Sequence, residues 1–303
     1  MANPDNLVVF AHGKESGPWG TKITHLAQTA RSRGFEVISP DYSHTVDPRA
    51  GVALLLQLAP PARAALVLVG SSTGGYVSAM ACGELRPQAL LLLAPALYFP
   101  GFDEEPPPPP RINAVVHGWN DDIVPVERAI HYAQRHAATL HLLDADHTLN
   151  ERLPELERIF DELLTRALLA GAYRVARYSV AAAGTPIILR VEQANLAADG
   201  RLINECGVRT HWALMTACNP HGKAASAETN ARREVMLRER LEADGIRRCA
   251  AFGEDDAGEW PVEASELLCD PPTGYAEKLG REYGQNAILC GCLGEAPELV
   301  WLR

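Results

Sequence analysis

The chain has no dense Lys/Arg stripe, no long apolar run, no cysteine framework and no glycine-rich dinucleotide fingerprint, and each lack removes a class of function. The 303 residues carry a net charge of -10. Up to residue 170 there are 13 Lys and Arg against 19 Asp and Glu, and after it 15 against 19, so neither part is basic. Binding to a nucleic-acid backbone rests mainly on cations that neutralise phosphates, so no nucleic-acid partner is expected. No stretch approaches the ~18 uninterrupted apolar residues that a membrane helix needs, so no membrane partner is expected either. The start, MANPDN, is polar and lacks the charged-then-apolar pattern of a signal peptide. Seven cysteines is an odd number without framework spacing, which fits reduced thiols and a cytoplasmic setting. Cys290 and Cys292 form a C-x-C pair, but a metal site needs two more ligands at a sensible spacing and none is found. Buried strand cysteines are the reading, and no metal or cofactor is expected.

What is present is a regular alternation. Leu7-Val8-Val9-Phe10, FEVISPDY, AALVLVG, ALLLLAPAL, INAVVHG and ATLHLLDAD read as six short apolar strands. Helical stretches separate them, among them Lys22 to Arg33, PRAGVALLLQLA and Gly75 to Gly83, and the last runs from Leu153 to Leu169. Apolar strands alternating with helices imply a parallel sheet covered on both faces, so residues 1–170 are expected to form a doubly wound α/β domain. A composition break follows at Ala170-Gly171. In 171–303 strands outnumber helices and several adjoin, which predicts a smaller α+β domain. Its long helix should be capped by Ser226 and run towards Ala243. The segment DEEPPPPP, Asp103 to Pro110, reads as a stiff polyproline-II spacer.

Gly70-Ser71-Ser72-Thr73-Gly74 is G-x-S-x-G, set directly after the strand at Ala65-Val69 and directly before a helix. That setting defines a nucleophile elbow, a sharp turn that holds a serine at the end of a strand. Centring the motif on Ser72 puts Gly70 and Gly74 where bulk is forbidden, whereas centring it on Ser71 would put Val69 and Thr73 there. A phosphate loop would need a Lys after the second glycine, and none follows Gly74 or Gly75. A serine nucleophile needs a base, and the base an orienting acid. VVHGWNDDIVP places Asp121 and Asp122 just past the fifth strand, and HLLDADHTLN places His147 just past the sixth. Adjacent side chains diverge, so one aspartate can aim at His147; Asp121, the first after the turn, is preferred and Asp122 is the alternative. Asp144 and Asp146 read as turn acids. An oxyanion hole would take the backbone N–H of Thr73 and one from the loop after the first strand, that of Lys14 or else Gly13. His12 reads as a structural residue that pins this loop.

The stretches FAHGKESGP, GSSTGG, HGWNDDIVP and DADHTL together resemble the α/β-hydrolase superfamily, in particular small bacterial serine esterases that open with an HG loop. The resemblance covers the first 170 residues. It implies Ser72 as nucleophile, His147 as base and Asp121 as orienter, and it implies a cap between the fourth and fifth strands. Here only about a dozen residues of proline-rich loop stand in that place, so a minimal, lidless domain with an open site is expected. The remainder, with YRVARYSV, TACNPHGKAASAETN, WPVEASELL and YGQNAILCGCLGEAPELVWL, resembles an uncharacterised bacterial domain of unknown function. Its polar loop offers His221, Lys223, Ser226 and Asn230 either as an anion grip or as an ordinary capped, solvated loop. The expected function is a serine hydrolase cleaving a small-molecule carboxylic ester or related acyl bond. Alternatives are a thioesterase or peptidase with the same triad, or a binding protein acting through the C-terminal domain. Nothing in the sequence speaks to oligomeric state.

Overall fold

Alternating apolar strands and helices become a six-stranded sheet in the computed structural model, which describes residues 6–44, 47–58, 65–255 and 261–302. The polar N-terminal residues 1–5, used above in the targeting argument, lie outside the described residues. The chain divides into two compact units, 1–171 and 172–303.

In the first unit the strands are β1 (Asn6–Ala11), β2 (Glu36–Ile38), β3 (Ala65–Ser71), β4 (Ala89–Leu93), β5 (Ile112–Gly118) and β6 (Thr139–Leu143). The helices are α1 (Thr21–Ser32), α2 (Pro48–Gln57), α3 (Thr73–Leu85), α4 (Val126–His136) and α5 (Leu153–Val175). The strands lie in the order β2-β1-β3-β4-β5-β6, all parallel, which bears out the doubly wound reading. β3 and β5 are buried at every residue, as strands covered on both faces should be. One face packs Val9, Leu68, Leu90 and Val115 against Leu55 of α2, Tyr76 and Val77 of α3 and Tyr132 of α4. The other face carries Phe10, whose ring meets Phe160 of α5 at 6.1 Å. The chain leaves β1 for one edge and returns to β3 on the other side, so a crevice opens between the ends of β1 and β3.

Two expectations are corrected here. FEVISPDY yields only the three residues of β2, because Pro40 has no N–H to extend the ladder. The last helix continues to Val175, past the composition break, because its later residues are mostly strong helix formers and a single interior Gly171 costs only about 1 kcal/mol. The proline segment, read as a stiff spacer, takes neither helix nor strand and is tied to the helices of this unit. Arg49 of α2 pairs with Glu104, the Tyr76 hydroxyl donates to Glu104 Oε2 at 3.2 Å, and Pro107 packs against Gly83 of α3. No helix lies between β4 and β5 among the described residues.

The second unit is a seven-stranded antiparallel sheet, the smaller α+β unit expected. Its strands are β7 (Arg177–Val180), β8 (Ile187–Leu189), β9 (His211–Thr216), β10 (Arg248–Glu254), β11 (Glu263–Cys269), β12 (Ala287–Cys292) and β13 (Glu298–Trp301), in the order β13-β12-β9-β11-β10-β7-β8. α6 (Leu196–Arg201), with the π-helical turn Leu202–Cys206, covers the face of Trp212 and Leu214. α7 (Ala227–Ala243) and α8 (Tyr275–Glu282) cover the face of Ala213 and Met215. Ser226 caps α7 by accepting from Thr229 N at 3.2 Å. Asn230 is bonded to Asn219 in both directions, at 3.0 Å each, so the polar loop is closed on itself.

Candidate active site

β3 ends at Ser71 and α3 begins at Thr73, which leaves Ser72 alone at the corner with φ 53 and ψ -120. A side-chain-bearing residue rarely takes such a conformation, and here the surroundings impose it. Ser72 N donates to Leu93 O of β4 at 3.0 Å, and the Ser72 carbonyl accepts from Gly75 N at 2.8 Å and Ala96 N at 2.9 Å. A Cβ on Gly70 would overlap Gly74 O, and one on Gly74 would overlap Ala11 O of β1. These two positions therefore admit no side chain, and the corner can be this tight only because both are glycine. Ser71 is buried in β3, opposite Leu93, whereas Ser72 is half-buried.

Ser72 Oγ lies 3.0 Å from His147 Nε2, and His147 Nδ1 lies 2.8 Å from Asp121 Oδ2. With Asp121 accepting at Nδ1–H, Nε2 is free to accept the Ser72 hydroxyl proton. Asp121 follows β5 and has no exposed side-chain surface. Its other oxygen, Oδ1, accepts from Ile123 N at 3.0 Å and Val124 N at 2.8 Å, which fixes the carboxylate plane. Asp122 is exposed and makes none of these bonds. His147 follows β6 on a turn held by Asp146, whose Oδ1 accepts from Thr148 N at 2.8 Å and Leu149 N at 3.2 Å. Asp144 accepts from Asn120 Nδ2 at 2.8 Å. Both acids thus brace the turns.

Gly13 runs against the serine: a Cβ there would sit 3.0 Å from Ser72 Cβ and 3.6 Å from Ser72 Oγ. Lys14 is next in this turn and is exposed; Thr73 opens α3, so its N–H is among those that no helical carbonyl accepts. His12 is 2 % exposed. It donates from Nδ1 to Gly13 O at 2.7 Å and accepts from Tyr42 N at Nε2 at 2.8 Å. Both ring nitrogens are occupied in holding the loop, as the sequence reading expects of a structural histidine.

Two residues went unnoticed in the sequence. His117, in β5, is fully buried, and its Nε2 lies 2.9 Å from Val124 O and 3.2 Å from Asp121 Oδ2. Burial holds its imidazolium form below the ordinary histidine range, opposed by the Val124 carbonyl and the Asp121 charge. A histidine inside an apolar strand, one residue before the glycine of the aspartate loop, is the signal that could have found it. Lys22, near the start of α1, is brought down to about 8 by burial, partly offset by the charges of Asp146 and Asp121. Among the described residues no group of three or more His, Cys, Asp or Glu is placed to hold a metal, and no helix is long and apolar enough to cross a membrane.

A member of the α/β-hydrolase superfamily from Xanthomonas campestris pv. campestris shares 31 % identity with this chain, over 54 % of it and 99 % of the relative, with a TM-score of 0.49. The chain belongs to the α/β-hydrolase superfamily. The matched share corresponds to the hydrolase unit alone. Two further solved structures are similar at lower identity. A lidless α/β serine hydrolase from Xanthomonas campestris shares 23 % identity over 55 % of this chain and 86 % of its own, with a TM-score of 0.42. An esterase from Pyrococcus furiosus shares 18 % over 55 % and 84 %, with a TM-score of 0.45. Residues 215–288 match a family described as protein of unknown function (DUF3293). No curated protein matches the sequence.

Proposed function

We propose that the chain is a serine hydrolase cleaving a carboxylic ester or related acyl bond, with residues 1–170 as its catalytic domain and 171–303 as a second, α+β domain. The observation that carries this reading is the continuous hydrogen-bonded line from Ser72 Oγ through His147 to Asp121, at 3.0 and 2.8 Å, with the serine held at φ 53. Ser72 Oγ attacks the acyl carbonyl while His147 Nε2 takes its proton. Asp121 holds the Nδ1–H tautomer and stabilises the imidazolium. The tetrahedral oxyanion is received by the backbone N–H groups of Thr73 and Lys14. Collapse expels the alcohol, which leaves with the proton from His147. Water, deprotonated by the same histidine, then releases the acid and restores Ser72.

Among the described residues no helix stands between β4 and β5, the place where a cap would be built. The same machinery would serve a thioester, and the choice of leaving group is a matter for substrate profiling. The test is active-site labelling of the full chain with a fluorophosphonate, followed by intact mass and peptide mapping. One adduct on Ser72 is expected. A folded protein that stays unlabelled would overturn the proposal, and an adduct on Ser71 would overturn the residue assignment.

A further inference from the structure

The connection from β4 to β5 begins against Ser72. The carbonyl of Leu93, the last residue of β4, accepts from Ser72 N at 3.0 Å, and Ala96 N donates back to Ser72 O at 2.9 Å. Between them Ala94, at φ 44, donates from its N–H to Val116 O of β5 at 2.8 Å. Pro95 packs on Gly75 of α3, where a Cβ would come within 2.6 Å of Pro95 Cβ. The second glycine of the pair Gly74-Gly75 therefore makes room for this loop. Residues 93–96 form a collar around the backbone of the serine.

Ala94 at φ 44 and Tyr98 at φ 57 both lie in the left-handed region that residues with a Cβ avoid, so local preference does not shape the collar. Arg128 of α4 does. Its Nη1 donates to Leu97 O at 3.1 Å and to Tyr98 O, and its guanidinium lies over the Phe99 ring, 3.9 Å from the centroid. A planar guanidinium can offer an N–H edge to carbonyls and a face to a ring at once, which a lysine ammonium cannot. The Tyr98 ring also meets His131 of the same helix edge-on at 4.9 Å. α4 begins at Val126, two residues past Val124, whose N–H holds Asp121 Oδ1 at 2.8 Å. One helix is thus tied to the turn of Asp121 and to the collar of Ser72.

We propose that Arg128 is a positioning residue for the hydrolysis: it latches the collar in its left-handed shape and, through the Ala96 N–H, keeps Ser72 in register with His147 and Asp121. The inference rests on the serine-hydrolase reading of this site. Arg128 acts through the backbone of residues 96–98 and not on the substrate. Ser72 sits at φ 53 under bonds from Ser72 N to Leu93 O, and from Gly75 N and Ala96 N to Ser72 O. β4 supplies the first and α3 the second, so a slack collar removes the third. Displacement of a reacting group by about 1 Å is enough to slow a reaction by orders of magnitude.

The full chain and its Arg128→Lys and Arg128→Gln variants are compared on a short-chain nitrophenyl ester, well below their melting temperatures. In both variants kcat should fall roughly tenfold while KM changes less than about twofold, because the latch bears on the nucleophile and not on ground-state binding. Fluorophosphonate labelling of Ser72 should slow in parallel. Adding Tyr98→Gly to Arg128→Gln should restore part of the lost kcat, since glycine adopts a positive φ without a latch. Arg49→Gln, which breaks the pair with Glu104 further along the same connection, should keep the parent kcat. Arg128→Lys keeps the charge, so it decides the case if the glutamine variant does not fold. An Arg128→Lys protein as fast as the parent, an equal loss in Arg49→Gln, or a double variant no faster than Arg128→Gln would each overturn the proposal. A parent chain that hydrolyses no ester and takes no label on Ser72 would instead overturn the hydrolase reading, and the role of Arg128 with it.

Discussion

His117 Nε2 lies 3.2 Å from Asp121 Oδ2, the same oxygen that His147 Nδ1 meets at 2.8 Å. One carboxylate oxygen thus stands between a buried histidine on β5 and the histidine that faces Ser72. The two imidazoles differ in surroundings: the side chain of His117 is fully buried, that of His147 is 14 % exposed. Replacing His117 by Phe should leave Val124 O without its 2.9 Å partner and loosen Asp121. The expected cost is about 1–3 kcal/mol of stability for an abandoned buried acceptor. Ester hydrolysis should also fall by roughly tenfold in kcat/KM, the rate counterpart of about 1.4 kcal/mol. Urea titration and steady-state kinetics on the same preparation measure both, and unchanged values in both would remove His117 from any supporting role.

Acidification should weaken the fold through buried imidazoles. Burial lowers His117, and also His136 and His141, from the ordinary histidine value. As pH falls through about 6.5, the unfolded chain takes up these protons first, and the folded chain takes them up only at lower pH. The stabilisation is therefore complete above about 6.5 and is lost progressively below it. Melting temperature recorded from about pH 7.5 to 5 should decline steadily below 6.5; a flat profile would contradict the burial argument.

Ser72→Gly should stabilise the protein while abolishing turnover. The serine occupies φ 53, ψ -120, a region that glycine enters at little cost. Relief of that strain should raise stability by about 1 kcal/mol relative to Ser72→Ala, which keeps a Cβ in the same conformation. Both variants lack the hydroxyl and should resist fluorophosphonate. Differential scanning calorimetry of the pair isolates the backbone effect, and equal melting temperatures would show that the corner is unstrained.

Gly70→Ala and Gly74→Ala probe the same corner from outside. A methyl on Gly70 meets Gly74 O, and one on Gly74 meets Ala11 O, in both cases backbone that cannot swing away. Each should cost roughly 3 kcal/mol or more, within the range of overpacking plus backbone displacement. Soluble yield and urea midpoint are the readouts, and variants as stable as the parent would mean that β1 and β3 can separate without penalty.

What could be read in advance divides along a physical line. Gly70, Gly74 and the apolar strand before them are local chemistry, and so is the position of Asp121 and His147 directly after apolar strands; each was legible from its neighbours in sequence. His117 was not, because inside INAVVHG it looks like one more buried strand position, and its importance depends on Asp121 and Val124 folding back over it. Lys22 escaped for the same reason, since its burial comes from tertiary packing. The end of α5 was misplaced because a glycine at 171 marks a boundary in composition and yet is tolerated inside a helix.

The neighbouring aspartates give the sharpest test of the site. The Asp121 carboxylate is buried, accepts two backbone N–H groups and meets His147, whereas Asp122 is exposed and outside that network. Asp121→Asn would present an amide to His147 Nδ1 and favour the tautomer with the proton on Nε2, the nitrogen that must accept from Ser72. By analogy with other triads, kcat should drop roughly ten-thousand-fold. Asp122→Asn removes one solvated charge and should change kcat less than about twofold, as a surface substitution does. Parallel kinetics on a short-chain nitrophenyl ester decide the matter. Equal losses in the two variants would argue for a general charge effect, and a larger loss in Asp122→Asn would transfer the orienting role to the neighbouring residue.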